Sequence, residues 1–132
     1  MQPLDDRAAR YVHLRVRGCS RTIFTILDIL LLAAIDTGEV PRIASYAEIA
    51  EEIGCYPKHV RTIGIRLESA GLLDIVEAWR EDGGRDANAW LITDVGRSVL
   101  SAWPGGAGAE AVGLLPEWAR SHVGSRAIAP SG

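Results

Sequence analysis

The chain has 132 residues, 48% of them hydrophobic and 23% charged, with a formal net charge of -3. That length fits one globular domain able to bury a core without metal or disulfide staples. The acidic balance excludes a polycation, so any nucleic-acid role has to rest on a local basic face. Cys19 and Cys55 form no C-x-x-C pair, and His13, His59 and His122 lack ligand spacing, so neither a metal site nor a cofactor is expected. Both cysteines suit a reducing, cytoplasmic compartment. The apolar run from Ile23 to Ile35 is too short to span a bilayer and carries Asp28, so no membrane role is expected. Thirteen of the 14 basic residues are arginine, Lys58 being the exception.

Residues 1–20 read as a charged leader with Arg7, Arg10, Arg15 and Arg17. Alternation from Tyr11 to Arg17 predicts a short strand there, although a helical reading of Leu4 to Leu14 is also open. From Arg21 to Thr37 a helix is expected, capped by Ser20 or Thr22 and closed by Gly38. Its apolar residues cover most sides, as in a central core helix or an oligomer interface. Pro41-Arg42-Ile43 is an extended connector.

Ser45-x-x-Glu48 has the form of a capping box and opens a helix from Tyr46 to Ile53. Gly54 supplies the left-handed residue that stops it. Pro57 is placed to start the next helix, which runs to about Ala70 with Val60, Ile63 and Leu67 inside, and Gly71 ends it. Two strands follow, Leu72 to Arg80 and Ala89 to Ile92, joined by the polar turn Glu81 to Asp86. Trp79 and Trp90 are expected to pair across this hairpin. Thr93 or Asp94 then caps a helix through Leu100. A further helical stretch spans about Ala109 to Val123, with Pro116 able to restart it. A disordered tail is expected over 124–132.

The segment Ser45-x-x-Glu48-Ile49-Ala50-x-x-Ile53-Gly54, then Val60, Leu67-Glu68-x-x-Gly71-Leu72 and Leu91-Ile92-Thr93-Asp94-x-Gly96, resembles the winged helix-turn-helix regulators. The nearest type is the multiple-antibiotic-resistance repressor. The resemblance spans about Arg21 to Leu100. It implies a mainly α fold with a small β-hairpin wing, in the order α-β-α-α-β-β-α, with additional terminal segments. The division expected is a leader over 1–20, the winged domain over 21–103, a dimerising C-terminal segment over 104–123, and the tail.

In this family the second helix of the motif enters the major groove of double-stranded DNA. Positions not needed for the core are Lys58, His59, Arg61, Thr62, Ile65 and Arg66. From Cys55 to Arg66 there are three basic residues and no acid, a local reversal of the chain's sign that suits phosphates. The resemblance assigns base-edge reading to Arg61 and Thr62, with Lys58, His59 and Arg66 nearer phosphates. Arg80 and Arg85, at the hairpin turn, are candidates for a minor-groove contact, although Glu81, Asp82 and Asp86 surround them. The leader arginines either touch flanking backbone or are merely exposed. Glu48, Glu51 and Glu52 on the first motif helix weaken a monomer's hold on DNA and favour a homodimer on two half-sites. Apolar residues Val112, Leu114, Leu115 and Trp118, with the apolar first helix, also point to a dimer.

No phosphate-binding Gly-rich loop and no nucleophile elbow occurs, so an enzyme is not expected. The function expected is sequence-specific DNA binding by a transcriptional regulator. The alternatives are a protein-binding winged-helix module and a DNA-binding protein for replication or partition of a small replicon. No effector ligand is legible.

Overall fold

Residues 10–38, 40–78, 87–103 and 115–124 are described by the structure, a computed structural model. They form a mixed α/β fold of five helices and two small antiparallel sheets.

The first sheet is a hairpin of β1 (Tyr11–His13) and β2 (Ile23–Thr25), paired Tyr11 to Thr25 and His13 to Ile23. Val12, Leu14 and Phe24 point inward and are buried. The expected boundary between leader and domain, at residue 20, therefore falls inside a hairpin that contributes to the core. The turn is closed by the Cys19 amide donating to the Val16 carbonyl at 3.0 Å, with Gly18 at φ 86°.

The helix expected from Arg21 instead begins at Ile26, as α1 (Ile26–Ile35). Ser20 and Thr22 are not its cap. Thr25 is: its hydroxyl accepts from the Asp28 amide at 3.1 Å, and the Asp28 carboxylate accepts from the Thr25 amide at 2.8 Å. This reciprocal pair satisfies two amides that a helix start leaves orphaned. All ten residues of α1 are buried. The helix is the axis of the domain, and its apolar surface is covered by its own chain.

After β3 (Arg42–Ala44) come α2 (Tyr46–Ile53) and α3 (Pro57–Ser69). The Ser45–Glu48 capping box forms in both directions. Gly54 adopts φ 87°, ψ 44°, the left-handed turn expected of it. Pro57 occupies the first turn of α3. Ile49, Ala50 and Ile53 of α2 are buried, as are Val60, Ile63, Gly64 and Leu67 of α3.

Strands β4 (Leu73–Ala78) and β5 (Ala87–Ile92) pair with β3 in the order β3-β5-β4. Trp90 of β5 is fully buried, donates from its indole to the Ala44 carbonyl at 2.9 Å, and meets the Tyr46 ring edge-on at 5.6 Å. Its ring also packs beside Gly64, where a Cβ would lie 3.2 Å from Trp90 Cζ3. The missing side chain at Gly64 lets α3 lie close to the sheet. On the opposite sheet face, Ile43 and Val76 flank Ala89 in register and are 51% and 60% exposed. The expected Trp79–Trp90 pair and the turn over 81–86 lie outside the described residues.

Thr93 caps α4 (Asp94–Ala102). Within the described part of the expected C-terminal stretch the helix is α5 (Glu117–Arg120), which begins after Pro116. Residues 104–114 lie outside the described residues, as does the tail from 125. Leu115 and Ala119 are buried in the same core as α1. His122 Nδ1 meets Asp36 Oδ2 at 3.0 Å, and the Gly124 amide donates to the Leu100 carbonyl at 2.9 Å. Residues 115–124 thus fold back on their own domain. Two features that pointed to a dimer, the apolar α1 and Leu115, are accounted for within one chain.

Candidate nucleic-acid interface

Helix α3 is held on its inner side by Val60, Ile63, Gly64 and Leu67, which leaves its outer side to the residues the sequence singled out. The structure sorts these into two stripes by helical spacing. Lys58, Arg61 and Ile65 stand at i, i+3 and i+7 and are all exposed. His59, Thr62 and Arg66 stand at the same spacing one residue on. With Ile63 they form one wall of a cleft of about 340 Å³. Thr62 belongs to both edges: it is exposed, and its hydroxyl donates to the Lys58 carbonyl at 2.9 Å. The Tyr56 ring meets His59 edge-on at 5.9 Å, at the N-terminal end of the helix.

The opposite wall is the β1–β2 hairpin, through Tyr11, Arg21, Ile23 and Thr25, with Leu27 at the base. Sequence reasoning did not place these residues near α3. The signal available for them was an apolar helix interrupted by a single acid, Asp28.

Asp28 is fully buried, and its carboxylate binds both walls. Oδ2 accepts from Arg21 at 2.7 Å, and Oδ1 accepts from Arg66 at 3.1 Å. Arg21 also donates through Nε to the Ile23 carbonyl at 2.8 Å, and its guanidinium lies 5.1 Å from the Phe24 ring centroid. A buried carboxylate needs such partners, because an unpaired charge away from water is strongly disfavoured. Two guanidiniums against one carboxylate leave the cluster with one net positive charge facing the cleft. Arg66, expected to be free for phosphates, is therefore tied at one amino group and remains half exposed.

The acids on α2 are largely engaged. Glu48 completes the capping box, and both Glu52 oxygens accept from Arg42, at 3.0 and 2.9 Å. Arg42 also donates to the Ala34 carbonyl at 2.6 Å, which ties β3 to the end of α1. Glu68 accepts from the Ile75 amide at 2.9 Å and so joins α3 to β4. Cys55 is partly buried against the core.

Arg80 and Arg85 lie outside the described residues. Among the described residues no group of three or more His, Cys, Asp or Glu side chains could hold a metal ion. Among them, too, no helix is long and apolar enough to cross a membrane.

Comparison with protein-family models, with curated proteins and with solved structures finds no match.

Proposed function

We propose that this chain is a winged helix-turn-helix protein that binds double-stranded DNA sequence-specifically, as a cytoplasmic transcriptional regulator. The element order α1-β3-α2-α3-β4-β5-α4 and the sheet order β3-β5-β4 are compatible with that fold. The observation that carries the reading is the outer side of α3. It is exposed, held rigidly from behind by Trp90 and the core, and has basic side chains with no acid from Cys55 to Arg66.

In this proposal Arg61 and Thr62 read base edges, and Ile65 offers an apolar contact to a thymine methyl. Lys58, His59 and the free part of Arg66 face phosphates. Arg80 and Arg85 serve the wing. A homodimer on two half-sites belongs to the proposal, argued from the gain of linking two weak contacts. A light-scattering mass of one chain at micromolar concentration would remove that part.

The test is binding of purified protein to mixed genomic fragments at two salt concentrations, for wild type and Arg61→Ala. Selective binding, weakened by salt, is expected for wild type. Arg61→Ala is expected to lose about 1–3 kcal/mol of base discrimination. Absence of binding at low salt would overturn the proposal.

One observation favours a second reading as a protein-binding module. Ile43, Ala89 and Val76 make an apolar row across the outer sheet face. That reading expects a positive surface around Arg61 that is covered by a partner. Replication or partition of a small replicon is a variant of the first reading and shares its test.

A further inference from the structure

The hairpin β1–β2 runs beside α3 and carries an unusual charge pattern. From Arg10 to Leu27 there are four arginines and no acid, in a chain whose acids outnumber its lysines and arginines, 17 to 14. Alternation along β1 puts Val12 and Leu14 into the core and turns Tyr11, His13 and Arg15 outward, all three exposed. The Leu14 amide donates to the Thr22 carbonyl at 2.9 Å, so the pairing continues past β1 to Leu14 and Thr22. Arg21 lines the cleft against α3. Arg10 precedes the strand and Arg17 sits in the turn, and both are exposed.

The positive charge therefore does not collect at one point, as it would for a single small anion. It is spread along the hairpin, whose Arg21 shares the cleft with His59, Thr62 and Arg66 of α3. An extended row of guanidiniums complements a polyanion. Guanidinium forks also match phosphate oxygens in geometry. The Asp28 bridge to Arg21 and Arg66 fixes the hairpin side and the helix side of this surface relative to each other.

We propose that the β1–β2 hairpin is a second DNA contact. It holds the phosphate backbone of one strand beside the groove that α3 enters, chiefly through Arg15 and Arg17. This rests on the DNA-binding reading of α3 and extends it to a second element. Phosphate contacts position a protein without specifying sequence, so the hairpin contributes affinity and register and α3 contributes selectivity.

The experiment uses a DNA fragment selected by the wild-type chain and the double variant Arg15→Gln/Arg17→Gln. Both positions are exposed, and an unchanged urea midpoint checks that the variant is folded. The slope of log affinity against log salt is expected to become shallower by about 1.8, at about 0.9 for each phosphate no longer neutralised. The ratio of affinities for selected and scrambled fragments is expected to stay unchanged. Arg15→Lys/Arg17→Lys, which keeps the charge, is expected to retain the slope. Phosphate-ethylation interference is expected to lose sites on one strand in the glutamine variant alone.

A wild-type slope in the glutamine variant, with selectivity still lost in Arg61→Ala, would overturn the hairpin contact and leave the α3 reading standing. A changed sequence ratio at constant slope would overturn the backbone assignment. Absence of selective binding by the wild type would overturn both.

Discussion

Replacing Asp28 by asparagine keeps the shape of a fully buried side chain and removes its charge. The asparagine carbonyl can still accept from the Thr25 amide, now 2.8 Å from Oδ2, so the helix cap survives. That carbonyl still accepts from Arg21 but without the charge, and the new amide group presents donors to Arg66 where Oδ1 accepted, so neither arginine keeps its ion pair. Their worth differs. Arg21, at 2.7 Å with a side chain 21% exposed, makes a charge-assisted bond largely shielded from water. Arg66, at 3.1 Å and 49% exposed, can exchange its carboxylate for water. The first loss is about 2 kcal/mol and the second below about 1 kcal/mol once solvent screening is counted. Asp28→Asn is therefore expected to lower stability by about 3 kcal/mol, toward the lower end for breaking a buried pair. For a chain of this size that is a fall in Tm of roughly 9–15 °C. Urea unfolding followed by tryptophan fluorescence measures it, since Trp90 and Trp103 are fully buried. In the same assay Arg21→Gln should cost more than Arg66→Gln. A loss below about 1 kcal/mol for Asp28→Asn, or Arg66→Gln as costly as Arg21→Gln, would refute the argument that burial sets the scale.

Two glycines inside helices should respond differently to alanine. At Gly96 a Cβ would overlap the Leu72 carbonyl oxygen and lie 2.8 Å from Ile92 Cγ1, and that carbonyl is held by the Thr93 amide at 3.1 Å. Gly96→Ala should lose about 2 kcal/mol or more despite alanine's better helix propensity, as read from the urea midpoint. At Gly64 the nearest atoms are side-chain carbons of Ile75 and Trp90, at 3.1 and 3.2 Å, which can shift. Gly64→Ala should stay within about 1 kcal/mol of wild type, the propensity gain offsetting the crowding. Ser45→Ala removes one half of the α2 capping box and should cost about 1 kcal/mol, with faster amide exchange at Glu48. An unchanged exchange rate there would contradict the capping argument.

The acidic α2 shows why charge alone is a poor guide to a binding face. Glu48 and Glu52 looked unfavourable for DNA when counted along the sequence. In the fold one caps a helix and the other binds Arg42, so neither stands as an unpaired negative charge. Arg66 shows the converse. Counted as a free cation, it is half engaged by an acid 38 positions away.

What sequence alone determined are the features governed by neighbours three or four residues apart. The Ser45–Glu48 box, the left-handed Gly54, Pro57 at the start of α3 and the Thr93 cap each depend on local hydrogen bonds or backbone sterics, and each occurs where expected. Periodicity also identified the inner face of α3, since Val60, Ile63 and Leu67 recur at helical spacing and are buried. The outer stripe of Lys58, Arg61 and Ile65 follows from that face by exclusion. Only the tertiary structure decided where α1 begins. Ile23-Phe24-Thr25 lies in a continuous apolar run, which fits a strand or a helix equally, and pairing with β1 makes it a strand. The same pairing brings Arg21 beside α3 and gives Asp28 its two partners. Strand register and helix crossing set those contacts, and neither is encoded in the spacing of residues along any one element.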